Sequence, residues 1–89
     1  MVRKISSRVS RLDLENNGYE HVLKYSITKS KWFDVYRAPD DYQVLPWCIT
    51  YAGSGKYWKT VHDCFVYGVG RGWIQQGQIE ELERSIGCK

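Results

Sequence analysis

Trp32-Phe33-Asp34-Val35-Tyr36-Arg37 combines aromatic and β-branched residues with a period of two. Such residues favour a pleated strand, in which successive side chains point to opposite faces. The alternation separates Trp32, Asp34 and Tyr36 from Phe33, Val35 and Arg37. Phe33 and Val35 are the better core pair. Trp32 and Tyr36 are therefore expected on the outer face, exposed beside Lys31 and Arg37.

Strand signals continue on both sides of this run. From Tyr19 to Thr28, His21, Leu23, Tyr25 and Ile27 share one face, while Glu20, Val22, Lys24 and Ser26 share the other. Lys29-Ser30 makes the break between the two runs. Asn16-Asn17-Gly18 tolerates positive φ, which predicts a hairpin turn across Asn17-Gly18. The residues before it are ambiguous. Val2, Ile5, Val9 and Leu12 fall at helical spacing, whereas Leu12 and Leu14 alternate as in a strand. Trp47 to Tyr51 reads as a further strand with Trp47, Ile49 and Tyr51 inward. Gly53-Ser54-Gly55 then makes a tight turn, across which Tyr57 to Lys59 pair back.

The remainder of the chain is helical in pattern. Thr60 can cap a helix, with Asp63 at its third position. Gly68, Gly70 and Gly72 are expected to end that helix within about two turns. A strand from Cys64 to Val69 is the competing reading. Gln78 to Ile86 has an Ile79, Leu82 and Ile86 stripe, acids in its first turn and a terminating Gly87. The predicted fold is α+β. It has an antiparallel sheet of three to four strands, with a short helix and a C-terminal helix on one face.

With 89 residues, residues 1–89 form a single domain, in which every large core side chain counts. Residues 1–11 read as a basic, mobile arm, because Arg3, Lys4, Arg8 and Arg11 all precede the first acid. Glu80, Glu81 and Glu83 make the other end acidic. The formal charge of +3 is far from that of a histone-like chain or an acidic DNA mimic. Cys48, Cys64 and Cys88 are odd in number and widely spaced. With no signal peptide, this usage fits a cytoplasmic protein with reduced thiols. No apolar run is long enough to cross a bilayer.

The motifs that suggest chemistry are weak. Gly53-Ser54-Gly55-Lys56 lacks the first glycine and the Ser or Thr of a phosphate loop, and a hairpin turn explains it. In Gly68-Val69-Gly70-Arg71-Gly72-Trp73 the third glycine of a dinucleotide fingerprint falls on Trp73. His62, Asp63 and Cys64 would point about 100° apart on a helix and cannot converge. Two His and scattered Cys make a poor zinc set. Asp40-Asp41 after Pro39 is ordinary turn chemistry. No catalytic residue, metal, cofactor or small-molecule substrate is expected.

Rings interleaved with cations are the stronger pattern. Tyr25, Lys31, Trp32, Tyr36, Arg37, Tyr57, Trp58, Lys59 and Arg71 are the expected partner-binding residues. Rings beside cations can anchor a protein interface or stack on bases beside phosphates. The modest charge, and the acids Asp34, Asp40, Asp41 and Asp63 among the rings, favour the protein interface. Short length and surplus interface-type side chains resemble, in type, small accessory proteins of phages and mobile elements that inhibit host defences. The expected function is that of a non-enzymatic inhibitor or adaptor, which occludes a surface of a host protein or nucleoprotein complex. Direct binding of RNA or single-stranded DNA is the alternative.

Overall fold

A computed structural model describes residues 11–38 and 45–87. The elements run α1 (Arg11–Asn16), β1 (Glu20–Ser26), β2 (Trp32–Arg37), β3 (Trp47–Tyr51), β4 (Ser54–Trp58), α2 (Val61–Gly70), a 3-10 turn (Gln76–Gln78) and α3 (Ile79–Ser85). The four strands form one antiparallel sheet in the order β1-β2-β3-β4. The domain is α+β, as its sequence predicts. The basic residues Arg3, Lys4 and Arg8, the Asp40-Asp41 pair and Cys88 lie outside the described residues.

The register explains the core. Val35 stands opposite both Leu23 and Ile49, and Phe33 opposite Tyr25. These residues share the face on which α2 and α3 sit. Phe33, Val35, Trp47, Ile49, Val61, Cys64, Phe65, Ile74, Ile79 and Leu82 pack into one buried cluster there. A bulge between His21 and Leu23 resets the alternation of β1, so that His21 pairs with Tyr36 on the opposite face.

The N-terminal hairpin expected across Asn17-Gly18 does not form. A helix, α1, precedes the turn. Gly18, at φ 87°, is the left-handed residue of its C-terminal cap. The Tyr19 N–H donates to Leu14 O and the Gly18 N–H to Glu15 O, the two bonds of a Schellman motif. Leu14 and Tyr19, brought together by this cap, join Tyr36, Ala38 and Cys48 in a second buried cluster. An Asn-Gly pair suits both a hairpin and a helix end, because both need positive φ.

This second cluster overturns the expected exposure of Tyr36. Tyr36 shares the outer face with Trp32, yet it is 3% exposed because Leu14 and Tyr19 cover that end of the sheet. The Tyr19 hydroxyl donates to Leu45 O at 2.8 Å and ties the start of β1 to the approach to β3.

Residues 61–70 form a helix, not a strand, and it is longer than its glycines suggest. Thr60 Oγ1 accepts from the Asp63 N–H at 3.1 Å, the predicted cap. Gly68 and Gly70 cost a helix about 1 kcal/mol each relative to alanine. Burial of Val61, Cys64 and Phe65 outweighs that cost. The helix ends in a second Schellman motif, with Gly72 at φ 82° and the Trp73 N–H donating to Gly68 O. This cap turns Trp73 back over the sheet.

In α3, Ile79 and Leu82 are buried, and Ile86, the residue that caps its C-terminus, is half-buried. Truncating Leu82 leaves a cavity and is expected to destabilise the fold by about 2–4 kcal/mol. The melting temperature of Leu82→Ala should fall by roughly 10 °C or more, measured by circular dichroism. An unchanged melting curve would mean that α3 is not docked.

Cys48 and Cys64 are free thiols, buried in different clusters. Burial pushes the Cys48 thiol up to about 12 and raises that of Cys64 as well. Both raised values make the fold favour the neutral thiol. The stability gained this way is fully present below the unfolded value near 8.5 and is lost as pH rises through the folded values. Urea unfolding between about pH 8.5 and 10 should show stability falling, by up to about 1.4 kcal/mol per pH unit for each thiol. Cys48→Ala should remove its share of that slope. A slope unchanged by the substitution would contradict the assignment.

Candidate partner-binding surface

The meander puts the β1–β2 turn and the β3–β4 turn at the same end of the sheet. The C-terminal end of α2 reaches that end too. Trp32, Lys31, Lys56 and Arg71 collect there.

Trp32 opens β2 on the outer face and is 43% exposed. In the register Ser26 stands opposite Trp32, and Lys24 lies diagonally from it. The Lys24 Nζ accordingly sits 4.8 Å from the centre of the indole ring. At an exposed site such a contact contributes about 0.5–1 kcal/mol, and it biases the indole orientation. Deeper on the same face His21 Nε2 and Asp34 Oδ1 are 2.8 Å apart. Beside Trp32 is a hollow of about 260 Å³ lined by Ser30, Lys31, Trp32, Tyr51 and Ala52.

A larger cleft, about 460 Å³, lies on the helix side of the same end. Its walls include Tyr51, Lys56, Tyr67, Arg71 and Trp73. Trp73 stacks on Tyr51 at 4.7 Å and on Phe33 at 5.5 Å, and it meets Tyr67 edge to face at 5.7 Å. The Arg71 guanidinium lies over Trp73 and the Lys56 ammonium over Tyr67, each 5.9 Å from the ring centre.

Tyr51 and Ala52 line both hollows. Ala52 and Gly53 are both at positive φ, 51° and 82°. Two such residues make the mirror-image turn that favours Asn-Gly. The turn therefore starts one residue earlier than the Gly53-Ser54-Gly55 reading places it. Alanine in this conformation costs about 1–2 kcal/mol.

The expected partner-binding residues fall into three groups. Lys31, Trp32 and Arg71 reach the turn end. Arg37, Tyr57, Trp58 and Lys59 lie toward the other end. There the Arg37 guanidinium covers Trp47 at 5.6 Å, Tyr57 is exposed and tilted against Tyr19 at 5.7 Å, and Trp58 is half-buried against Tyr67. Tyr36 is buried and Tyr25 half-buried, both packed within the fold. Tyr25 stacks on Phe33 at 5.3 Å, and its hydroxyl accepts from Gln78 Nε2 at 2.9 Å.

Tyr51, Lys56, Tyr67 and Trp73 were not among the residues expected to bind a partner. Arg71-Gly72-Trp73 carried the signal for Trp73: a positive-φ glycine between a cation and a ring folds one back over the other.

The residue types that suggested chemistry stay apart. Cys64 points into the core, while His62 Nδ1 sits on the surface 2.8 Å from Glu83 Oε2. Among the described residues no group of three or more His, Cys, Asp or Glu could hold a metal ion. No helix among them is long and apolar enough to cross a membrane. Compared with protein-family models, curated proteins and solved structures, the chain matches none.

Proposed function

We propose that this protein is a small non-enzymatic inhibitor or adaptor that docks on a protein partner through the turn end of its sheet. The observation that carries the reading is Trp32, exposed at the lip of a hollow and steadied by Lys24. A large ring beside a pocket and a charged rim is the usual composition of an interface hot spot. The partner in this reading is a host protein or nucleoprotein complex that handles nucleic acid. Occlusion of one face of that partner suffices. The type is that of phage or mobile-element accessory proteins, acting in the cytoplasm, and small size with surplus rings supports it.

Direct binding of RNA or single-stranded DNA is the second reading. Lys24, Lys29, Lys31, Lys56 and Arg71 at or near the turn end favour it. The distribution of rings counts against it. A base-stacking platform needs several open rings on one sheet face, and Tyr36 is buried while Tyr25 is stacked on Phe33.

Capture from a host lysate, with and without nuclease, tests the choice. A protein retained by the wild type after nuclease treatment, and lost with Trp32→Ala, supports the inhibitor reading. Loss of all captured protein on nuclease treatment sinks it.

A further inference from the structure

Resting on the protein-docking reading, we propose that the cleft between the β3–β4 hairpin and the end of α2 receives an acidic segment of the partner. One Asp or Glu carboxylate of that segment is held between Lys56 and Arg71.

Charge is the first argument. Lys56 and Arg71 are exposed, and neither makes an ion pair with a described residue. Neither Asp63 nor Glu83 pairs with them. Asp63 opens α2 at the far end, and Glu83 faces His62. Two cations on the rim of one cleft are thus left to an outside anion. A guanidinium offers a planar fork of donors that matches a carboxylate, and an ammonium adds a point charge beside it.

Ring packing is the second argument, and it selects the kind of anion. Trp73 already stacks on Tyr51 and Phe33, and Arg71 lies over its ring. Tyr67 has Lys56 over its ring and its neighbours Trp73 and Trp58 against it. Little ring surface is left on which a base could stack, whereas the cations are presented outward. The cleft volume of about 460 Å³ suits one or two side chains. Ile49 and Ala52 in its lining suit an apolar neighbour of the carboxylate.

Continuity is the third. The cleft and the hollow beside Trp32 share Tyr51 and Ala52. A partner seated on Trp32 can therefore pass a segment over the Ala52 lip into the cleft.

The test uses the full chain, labelled with nitrogen-15, and three probes. These are a blocked peptide of alternating glutamate and leucine, the same peptide with lysine for glutamate, and a thymidine decamer. The glutamate peptide should shift the Trp73 indole resonance and the Lys56 and Arg71 amides saturably. The lysine peptide and the decamer should not. Lys56→Glu and Arg71→Glu should each weaken the glutamate peptide by roughly tenfold or more. The remaining resonances report that the fold persists, and Lys56→Gln with Arg71→Gln provides a milder pair. Trp32→Ala should bind this peptide as the wild type does. Capture that fails while the peptide still binds would therefore remove the docking reading and not the cleft. Decamer binding in place of peptide binding, no binding by either, or peptide affinity indifferent to both cations overturns the proposal.

Discussion

Phe33→Ala is expected to lower the stability of the domain by about 3–5 kcal/mol. Phe33 is fully buried on the inner strand β2 and lies between Tyr25 at 5.3 Å and Trp73 at 5.5 Å. Both neighbours would lose a stacking partner as well as the apolar area removed. A domain of this size holds only about 5–15 kcal/mol in total, so the variant should be partly unfolded or close to it. Urea denaturation followed by far-ultraviolet circular dichroism measures the change. A loss below about 1 kcal/mol would show that the helix-side core is not packed as described. Tyr36→Ala belongs to the same class of substitution. Its side chain is buried in the smaller cluster, so a binding defect in that variant would report damage to the fold.

Trp32→Ala should behave in the opposite way. The indole is exposed and contributes little to the core, so stability should change by less than about 1 kcal/mol. Partner affinity should fall by about 2 kcal/mol or more, roughly thirtyfold. Replacing Arg3, Lys4 and Arg8 should mainly slow association, because charges outside the core of an interface act on encounter. A nucleic-acid partner reverses this pattern. Each lost phosphate contact would then reduce the salt slope by about 0.7, and the charge variants would lose more affinity than Trp32→Ala. Titrations of both variant sets at two salt concentrations separate the outcomes. The docking reading fails if the charge variants lose more.

The strands β1, β2 and β3 were legible because a half-buried sheet imposes a period of two on its residues. The Thr60 cap and the Ile79 and Leu82 stripe were legible for similar local reasons. What stayed hidden was decided by contacts between distant residues. Leu14 becomes a core residue only when α1 lies over Tyr36 and Cys48, and nothing around Leu14 announces them. The length of α2 depends on the burial of Phe65 and Cys64 and defeats two unfavourable glycines. The cleft was harder still. Lys56, Tyr67, Arg71 and Trp73 come from a strand, a helix and a cap, and only the Gly72 turn brings Trp73 onto Phe33.

The meander has a consequence for how the chain reaches this state. Every strand pairs with the strand before or after it, so each pairing closes a short loop at modest entropic cost. Local pairings of this kind favour rapid folding. The sheet can grow hairpin by hairpin from the Lys29-Ser30 and Ala52-Gly53 turns. Helices α2 and α3 follow it in the chain, and their apolar faces need the completed sheet to cover. The aromatic cleft, built where α2 ends against β3 and β4, is then among the last parts of the molecule to acquire its shape.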